Sequence, residues 1–394
     1  MNSPASIQYD LIAPPRVAFG WGRRREAGEH ARFLGRRALV ISGSRTLSAS
    51  GAVEEILASL RASGVESIEL ASISREPEVE DVDHAATLLH ERGVVAGDFL
   101  LAIGGGSAID LAKGVAAMAT NRQSDTVRDY LEGVGRGLKL DAPPLAIMAI
   151  PTTTGTGSEA TKNAVISSYD PPFKKSLRSE LLVPRVVLVD PELAMALPPS
   201  ITMQTGMDAI TQLIESYISR RAQPIPRALA AEGLKRALPA IIAAVHDGRT
   251  RWAREAMAHA ALLSGMALAN SGLGLAHGVA AALGSVCRIP HGLACAVMLP
   301  IALQVNRDVC RQEFAELATT IGETEGGAGD RSDAFVRRIE QVCQEVGVPG
   351  RLSDLGVERD QIPALVAGSR GNSMDGNPRE ISDTELTRIL EETL

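Results

Sequence analysis

Short runs of apolar residues alternate with stretches of helical periodicity over the first half of the chain. Residues 38–42 (ALVIS), 66–72, 98–103 (DFLLAI) and 145–150 (LAIMAI) read as strands. Between them, 52–63, 80–92 and 108–119 read as helices, the first with Val53, Ile56, Leu57 and Leu60 on one face. Strands that are apolar throughout, rather than alternating, are buried on both faces, so the pattern predicts a parallel sheet covered by helices. Residues 164–168 and 186–189 add two further β-like pieces. Beyond LPPS (197–200) the strand signal ends. Residues 205–219, 226–245, 251–269, 271–284, 293–306, 311–322 and 331–345 read as helices, and GETEGGAGDRSD (322–333) as an exposed loop. The expected division is an α/β nucleotide-type domain over 1–195 and an all-helical domain over 196–394.

Composition narrows the class. A chain of 394 residues exceeds the roughly 250–300 that one core usually serves, which agrees with two domains. The net charge of -7 argues against a nucleic-acid partner, which would select a basic surface. The four cysteines, Cys287, Cys295, Cys310 and Cys343, form no CxxC pair and read as buried or free thiols. MNSPASIQYD carries no basic stretch followed by an apolar run, and no window of about 18 continuous apolar residues occurs. No membrane span is expected, and the cytoplasm is the expected compartment.

Two loops carry candidate chemistry. In LAIGGGSAIDLAKG (101–114) a buried strand runs into Gly104, Gly105, Gly106 and Ser107, and a helix follows. Glycines let the backbone approach a ligand closely, and the free N–H groups of a helix N-terminus suit a pyrophosphate. The stretch is not G-x-G-x-x-G, and the plainer alternative is a tight turn with Ser107 as helix cap. In PTTTGTGSEATKN (151–163), five Thr, two Gly and one Ser follow a buried strand within eleven residues. Ligands bind at the carboxyl ends of parallel strands, so two such loops favour a dinucleotide.

The helical half supplies candidate metal ligands. In GMDAITQLIES (206–216), Asp208 and Gln212 stand at i and i+4, on one helix face. Two of the seven histidines, His277 and His291, fall within GLGLAHGVAAALGSVCRIPHG (272–292), the second fixed between Pro290 and Gly292. Asp208, His277 and His291 can converge on one divalent ion. Gln is a poor ligand where His would serve a transition metal better.

GGGSAIDLAKG, PTTTGTGSEAT, LVDPELAMALPP, TGMDAITQLIESYIS, NSGLGLAHGVA and PHGLACAVMLP, with NPRE (377–380), stand in the order that resembles the iron-containing, or group III, alcohol dehydrogenases. The resemblance runs from about residue 11 to the end. It implies an N-terminal dinucleotide-binding α/β domain, a helical C-terminal domain and a metal between them, as in the wider dehydroquinate synthase-like architecture. It also implies an NAD(P)-dependent alcohol dehydrogenase or aldehyde reductase, a small alcohol or aldehyde as substrate, and a homodimer. Gly104 to Ser107, with Asp110, would face the pyrophosphate, and Thr152, Thr153, Thr156 and Ser158 the rest of the cofactor. Asp208, His277 and His291 fall on three of four metal-ligand positions. The catalytic role expected of them is to hold a divalent ion, iron by family and zinc as the alternative.

The chain departs from that pattern at two places. Gln212 stands where the fourth ligand is normally His, and Ala281 where a second His is common. Three ligands still satisfy a catalytic site, as in the similar glycerol dehydrogenases, with Gln212 as a weak ligand or a holder of metal-bound water. A metal-independent oxo-acid reductase resembling the maleylacetate reductases, and a nucleotide-binding pseudoenzyme, are the alternatives. Lys162, Lys174, Lys175 and Arg178 are candidates for an acidic substrate group, but surface charge is the favoured reading. After the first strand, Gly43, Ser44 and Arg45 stand where NAD-preferring relatives carry Asp. This favours NADP over NAD while leaving both open.

Overall fold

The computed structural model describes residues 9–43 and 51–394. A six-stranded sheet forms the first half, from β1 (Arg16–Phe19), β2 (Arg37–Ser42), β3 (Glu66–Ser72), β4 (Asp98–Gly104), β5 (Ala146–Pro151) and β8 (Val186–Val189), in the order β1-β8-β5-β4-β2-β3. Every pairing is parallel. The reason is visible along β4. Phe99, Leu101 and Ile103 pack into one apolar layer with Ala27, Ile56 and Leu60, while Leu100 and Ala102 pack into the opposite layer with Val82, Leu89 and Val115. Helices α1 (Ala27–Ala31) and α2 (Ala52–Ala62) cover the first face; α3 (Val79–Arg92) and α4 (Gly106–Met118) cover the second. A strand clad on both sides must be apolar at every position.

The structure refines the sequence reading at three points. The β-like piece at 164–168 belongs to β6 (Asn163–Tyr169), which pairs antiparallel with β7 (Pro172–Arg178) in a separate hairpin outside the main sheet. Strands β1 and β7 left no recognisable apolar run, the first being four residues long and the second carrying Lys174, Lys175 and Arg178. Ser107 is not a cap: α4 begins one residue earlier, at Gly106, behind Gly105.

The second half is helical: α5 (Pro199–Ile218), α6 (Pro224–His246), α7 (Arg251–Asn270), α8 (Leu275–Cys287), α9 (His291–Asn306), α10 (Arg311–Thr320), α11 (Ala328–Glu345), α12 (Ile362–Gly368) and α13 (Asp383–Thr393). The last two were not anticipated. Nor is 322–333 all loop, because α11 starts at Ala328, where the Asp330 carboxylate accepts from the Gly327 N–H at 2.9 Å. No single helix among the described residues is long and apolar enough to cross a membrane.

What positions the site is the seam between the halves. Gly104 and Pro151 are register partners at the ends of β4 and β5, so the glycine and threonine loops leave the sheet side by side. The threonine loop then lies directly on α7. A methyl group at Gly157 (φ +60°) would come within 2.5 Å of the Gly265 nitrogen, and one at Gly265 within 2.1 Å of the Gly157 carbonyl oxygen. Only two facing glycines permit that backbone approach.

Candidate active site

A cavity of about 550 Å³ opens along this seam. It is lined from the sheet side by Gly105, Gly106, Ser107, Asp110, Thr153, Thr156 and Ser158, and from the helical side by Gln212, His277, Ala281 and His291. The two candidate chemistries of the sequence therefore share one space. Gly43, Gly104 and Thr152 are not among its lining residues. The Gly43 N–H donates to the Ile103 carbonyl at 2.7 Å and the Thr152 N–H to the Gly104 carbonyl at 3.0 Å, which hold the loops in register. Ser44 and Arg45 lie outside the described residues.

The metal-ligand candidates come from three helices. Asp208, on α5, is 2% exposed. Its Oδ1 lies 3.2 Å from His277 Nε2, in the first turn of α8, and 4.0 Å from Nε2 of His291, which opens α9 behind Pro290. Cys295 stands one turn after His291, with Sγ 3.7 Å from His291 Nε2. One ligand atom from each of these four residues falls within 4.8 Å of the other three. Bonds of about 2.0–2.3 Å in a tetrahedral site require donor separations of roughly 3.3–3.6 Å. Three of the separations are 3.2, 3.7 and 4.0 Å, close enough to that range for small side-chain shifts to bring the donors onto one divalent ion.

A second layer aims these donors. Glu215, two turns after Asp208 on α5, accepts from His277 Nδ1 at 2.7 Å and from the Ala276 N–H at 2.7 Å. That bond fixes the imidazole so that Nε2 faces Asp208, the arrangement found around metal-bound histidines. Asn377, in NPRE, accepts from the Leu275 N–H at 3.2 Å and so anchors the same helix start. Gln212 donates from Nε2 to Asp208 Oδ1 at 3.2 Å, and its Oε1 accepts from the Ser264 hydroxyl at 3.0 Å.

Charge follows from this packing. Burial pushes the Asp208 carboxyl up, but the His277 hydrogen bond, the two imidazoles and the Gln212 bond outweigh it and hold the group below its usual range. Burial opposes a charged His277, yet Cys295, Asp208 and Glu215 together raise it well above an ordinary histidine. His291 goes the other way, to about 4, through burial and the nearby Lys174 ammonium. Burial pushes the Cys295 thiol up to about 11. A site with one strongly held carboxylate, one neutral imidazole and a second imidazole between carboxylates is built to receive positive charge.

The nucleotide side is equally shaped. A methyl group at Gly105 would meet Thr153 at 3.0 Å, and one at Gly106 would meet the Thr156 hydroxyl at 2.7 Å, so side chains there would close the cleft. The first N–H groups of α4 have no partners inside the helix and are available to an anion. Asp110, which lines the cavity, accepts from the Val165 N–H through Oδ2 at 3.1 Å, and its buried Oδ1 has no partner within hydrogen-bond distance. Burial raises this carboxyl to about 6. These features fit a dinucleotide with a polar group left to engage.

Sequence reasoning missed four features. Lys113 is fully buried, and its ammonium donates to the carbonyls of Ser158 at 2.6 Å, Thr161 at 2.8 Å and Asn163 at 2.9 Å, and to the Thr161 hydroxyl at 2.9 Å. It ties the threonine loop to α4. Glu215 and Cys295 were legible only as helical spacings, i+7 from Asp208 and i+4 from His291. Lys174, Lys175 and Arg178 are not surface charges as expected: all three line the cavity, whereas Lys162 lies outside its lining. Lys174, 7% exposed, pairs with Glu76 at 2.6 Å, and Arg178 with Glu132 at 2.7 Å.

Comparison with known proteins agrees with this architecture. The family model "Iron-containing alcohol dehydrogenase" matches residues 14–191, and the model for the C-terminal part of the Fe-containing alcohol dehydrogenase family matches 202–394. The chain is 30% identical over 388 residues to the NAD-dependent methanol dehydrogenase of Bacillus methanolicus, covering 98% of this chain and 100% of that one. Among solved structures, a 1,3-propanediol oxidoreductase superposes with a TM-score of 0.90 at 30% identity, covering 98% of this chain and 100% of the other. Sulfoacetaldehyde reductase from Bifidobacterium kashiwanohense, solved with NAD+, superposes with a TM-score of 0.87 at 30% identity, covering 98% and 99%. With both halves matched and a full-length relative at this identity, the chain belongs to the iron-containing alcohol dehydrogenase family, and it is an NAD(P)-dependent oxidoreductase.

Proposed function

We propose that this protein interconverts an alcohol and its aldehyde or ketone, with Asp208, His277 and His291 holding a divalent ion beside the bound nicotinamide. The observation that carries this reading is the single cavity shared by the glycine loop, the threonine loop and the histidines. When bound, the metal supplies Lewis acidity toward the substrate oxygen and the nicotinamide supplies the hydride acceptor or donor. The chain's own residues do the positioning. Gly105 to Ser107 at the start of α4 receive the pyrophosphate, with Gly43, Gly104 and Thr152 setting the backbone behind them. Thr153, Thr156, Ser158 and Asp110 orient the remainder of the nucleotide. Glu215 and Gln212 hold His277 and Asp208 in place, and Ala281 leaves space beside them for the substrate. The absence of an acid in Gly43–Ser44–Arg45 supports NADP(H) as the preferred nucleotide.

The test uses NADPH and NADH deuterated at C4 with a panel of aldehydes. The expected product is an alcohol carrying one deuterium at the carbinol carbon, formed with a higher kcat/KM from NADPH. Nucleotide binding without turnover of any aldehyde would contradict the reading and favour a non-catalytic role.

A second reading concerns the substrate. Lys174 and Arg178 are paired, but Lys175, on the same cavity wall, has no carboxylate within ion-pair distance among the described residues. Its ammonium faces Gly371, where an added methyl would lie 3.9 Å away. An unpaired cation beside the site favours a substrate with an anionic group, such as an oxo-acid. Lys175→Met is expected to raise KM for an aldehyde bearing a carboxylate about tenfold, the value of one charge-assisted hydrogen bond. KM for a neutral aldehyde of the same length should stay within about twofold. Equal effects on both substrates would remove this reading.

A further inference from the structure

We infer that Cys295 is the fourth protein ligand of the metal, while Gln212 serves to steady Asp208. The inference rests on the metal-dependent reading above and adds to it the composition of the site. Position 212 is one turn from Asp208, where a ligand would be convenient. The side chain there turns its Nε2 amide toward Asp208 at 3.2 Å, a donor that steadies the carboxylate. Its Oε1 lies on the other side, 3.0 Å from the Ser264 hydroxyl, whose one proton is also 2.8 Å from the Ala261 carbonyl.

Cys295 has the opposite disposition. It is fully buried on α9, and the spacing i, i+4 puts its sulfur on the same helix face as the His291 ring. Sγ lies 3.7 Å from His291 Nε2 and within 4.8 Å of the donor atoms of Asp208 and His277. The four donors come from α5, α8 and α9, and the substrate oxygen would enter as a fifth ligand beside them. On binding, the S–H bond breaks, the proton leaves to solvent, and a sulfur–metal bond forms with no change of oxidation state. One carboxylate oxygen, two imidazole nitrogens and one thiolate make a softer set than one carboxylate and three imidazoles. Such a set favours zinc over ferrous iron.

The probe is cobalt(II), which reports its ligands optically. Metal-depleted protein is titrated with cobalt and compared with Cys295→Ser and Gln212→Ala. The expected result is a near-ultraviolet sulfur-to-cobalt charge-transfer band that saturates at one cobalt per chain. The band should be lost in Cys295→Ser and retained in Gln212→Ala. X-ray absorption of the unmodified zinc-loaded protein, which needs no variant, should show one sulfur neighbour at about 2.3 Å. Visible d–d bands of bound cobalt without a charge-transfer band, or a zinc shell of nitrogen and oxygen only, would overturn the assignment of Cys295 and leave the three-ligand site standing. No cobalt or zinc binding at all would overturn the metal-dependent reading itself, and this inference with it.

Discussion

Lys113→Met is expected to cost about 3–5 kcal/mol of stability, the range for breaking one partner out of a buried charged network. At about 2–4 °C per kcal/mol for a cooperative unit of 150–250 residues, the melting temperature falls by roughly 10 °C. The methionine fills the space but leaves the carbonyls of Ser158, Thr161 and Asn163 and the Thr161 hydroxyl without their donor. It also strips the buried carboxyls of Asp110 and Glu159 of the cation that offsets their desolvation. The loosened segment is the threonine loop, which seats against Gly265 and lines the cavity. Nucleotide affinity should therefore fall along with stability. Differential scanning calorimetry and NADPH titration check this. A melting temperature within about 2 °C of the parent would show that Lys113 is dispensable to the loop.

Asp208→Asn is expected to leave the fold intact and the site empty of metal. The substitution is isosteric, so the packing of α5 is preserved, but the carboxylate charge that meets His277 at 3.2 Å is gone. A Lewis acid contributes several kcal/mol at the substrate oxygen, and each 1.36 kcal/mol is tenfold, so turnover should drop by about 10³-fold. Elemental analysis should find the variant metal-poor while its melting temperature and NADPH affinity remain near those of the parent. Retained metal with retained turnover would show that His277, His291 and Cys295 suffice without it.

How far these residues could be read beforehand depended on what surrounds them. β4 and β5 were legible because both faces are clad, which forces an unbroken apolar run. β7 was not, because its cations face a cavity rather than a core, and a polar cavity wall leaves the same trace in sequence as a solvent-exposed strand. Lys113 was invisible for a related reason. A lysine in the middle of a helix looks like a surface residue unless the four oxygen atoms that surround it, all from 158–163, are known. Asp208, His277 and His291 could be singled out by type and spacing, since three potential ligands in two short stretches of sequence, 206–216 and 272–292, are an uncommon pattern. Cys295 lay four residues beyond His291 but was read only as a buried or free thiol. Its significance depends on the sulfur pointing at the histidine, which spacing alone permits but does not require. Gln212 could be placed one turn from Asp208 by spacing, but its contact with the Ser264 hydroxyl, 52 positions away in sequence, could not.

The central claim is that this cavity works through a bound divalent ion, and metal content paired with activity tests it most directly. Protein expressed without a metal-binding tag is analysed for bound elements, then assayed with NADPH and an aldehyde before and after chelation. The predicted result is about one divalent ion per chain, with activity lost on chelation and restored by adding the metal back. Metal-free protein whose turnover is untouched by chelator would contradict the account. It would move the chain to a branch in which protein groups alone polarise the carbonyl.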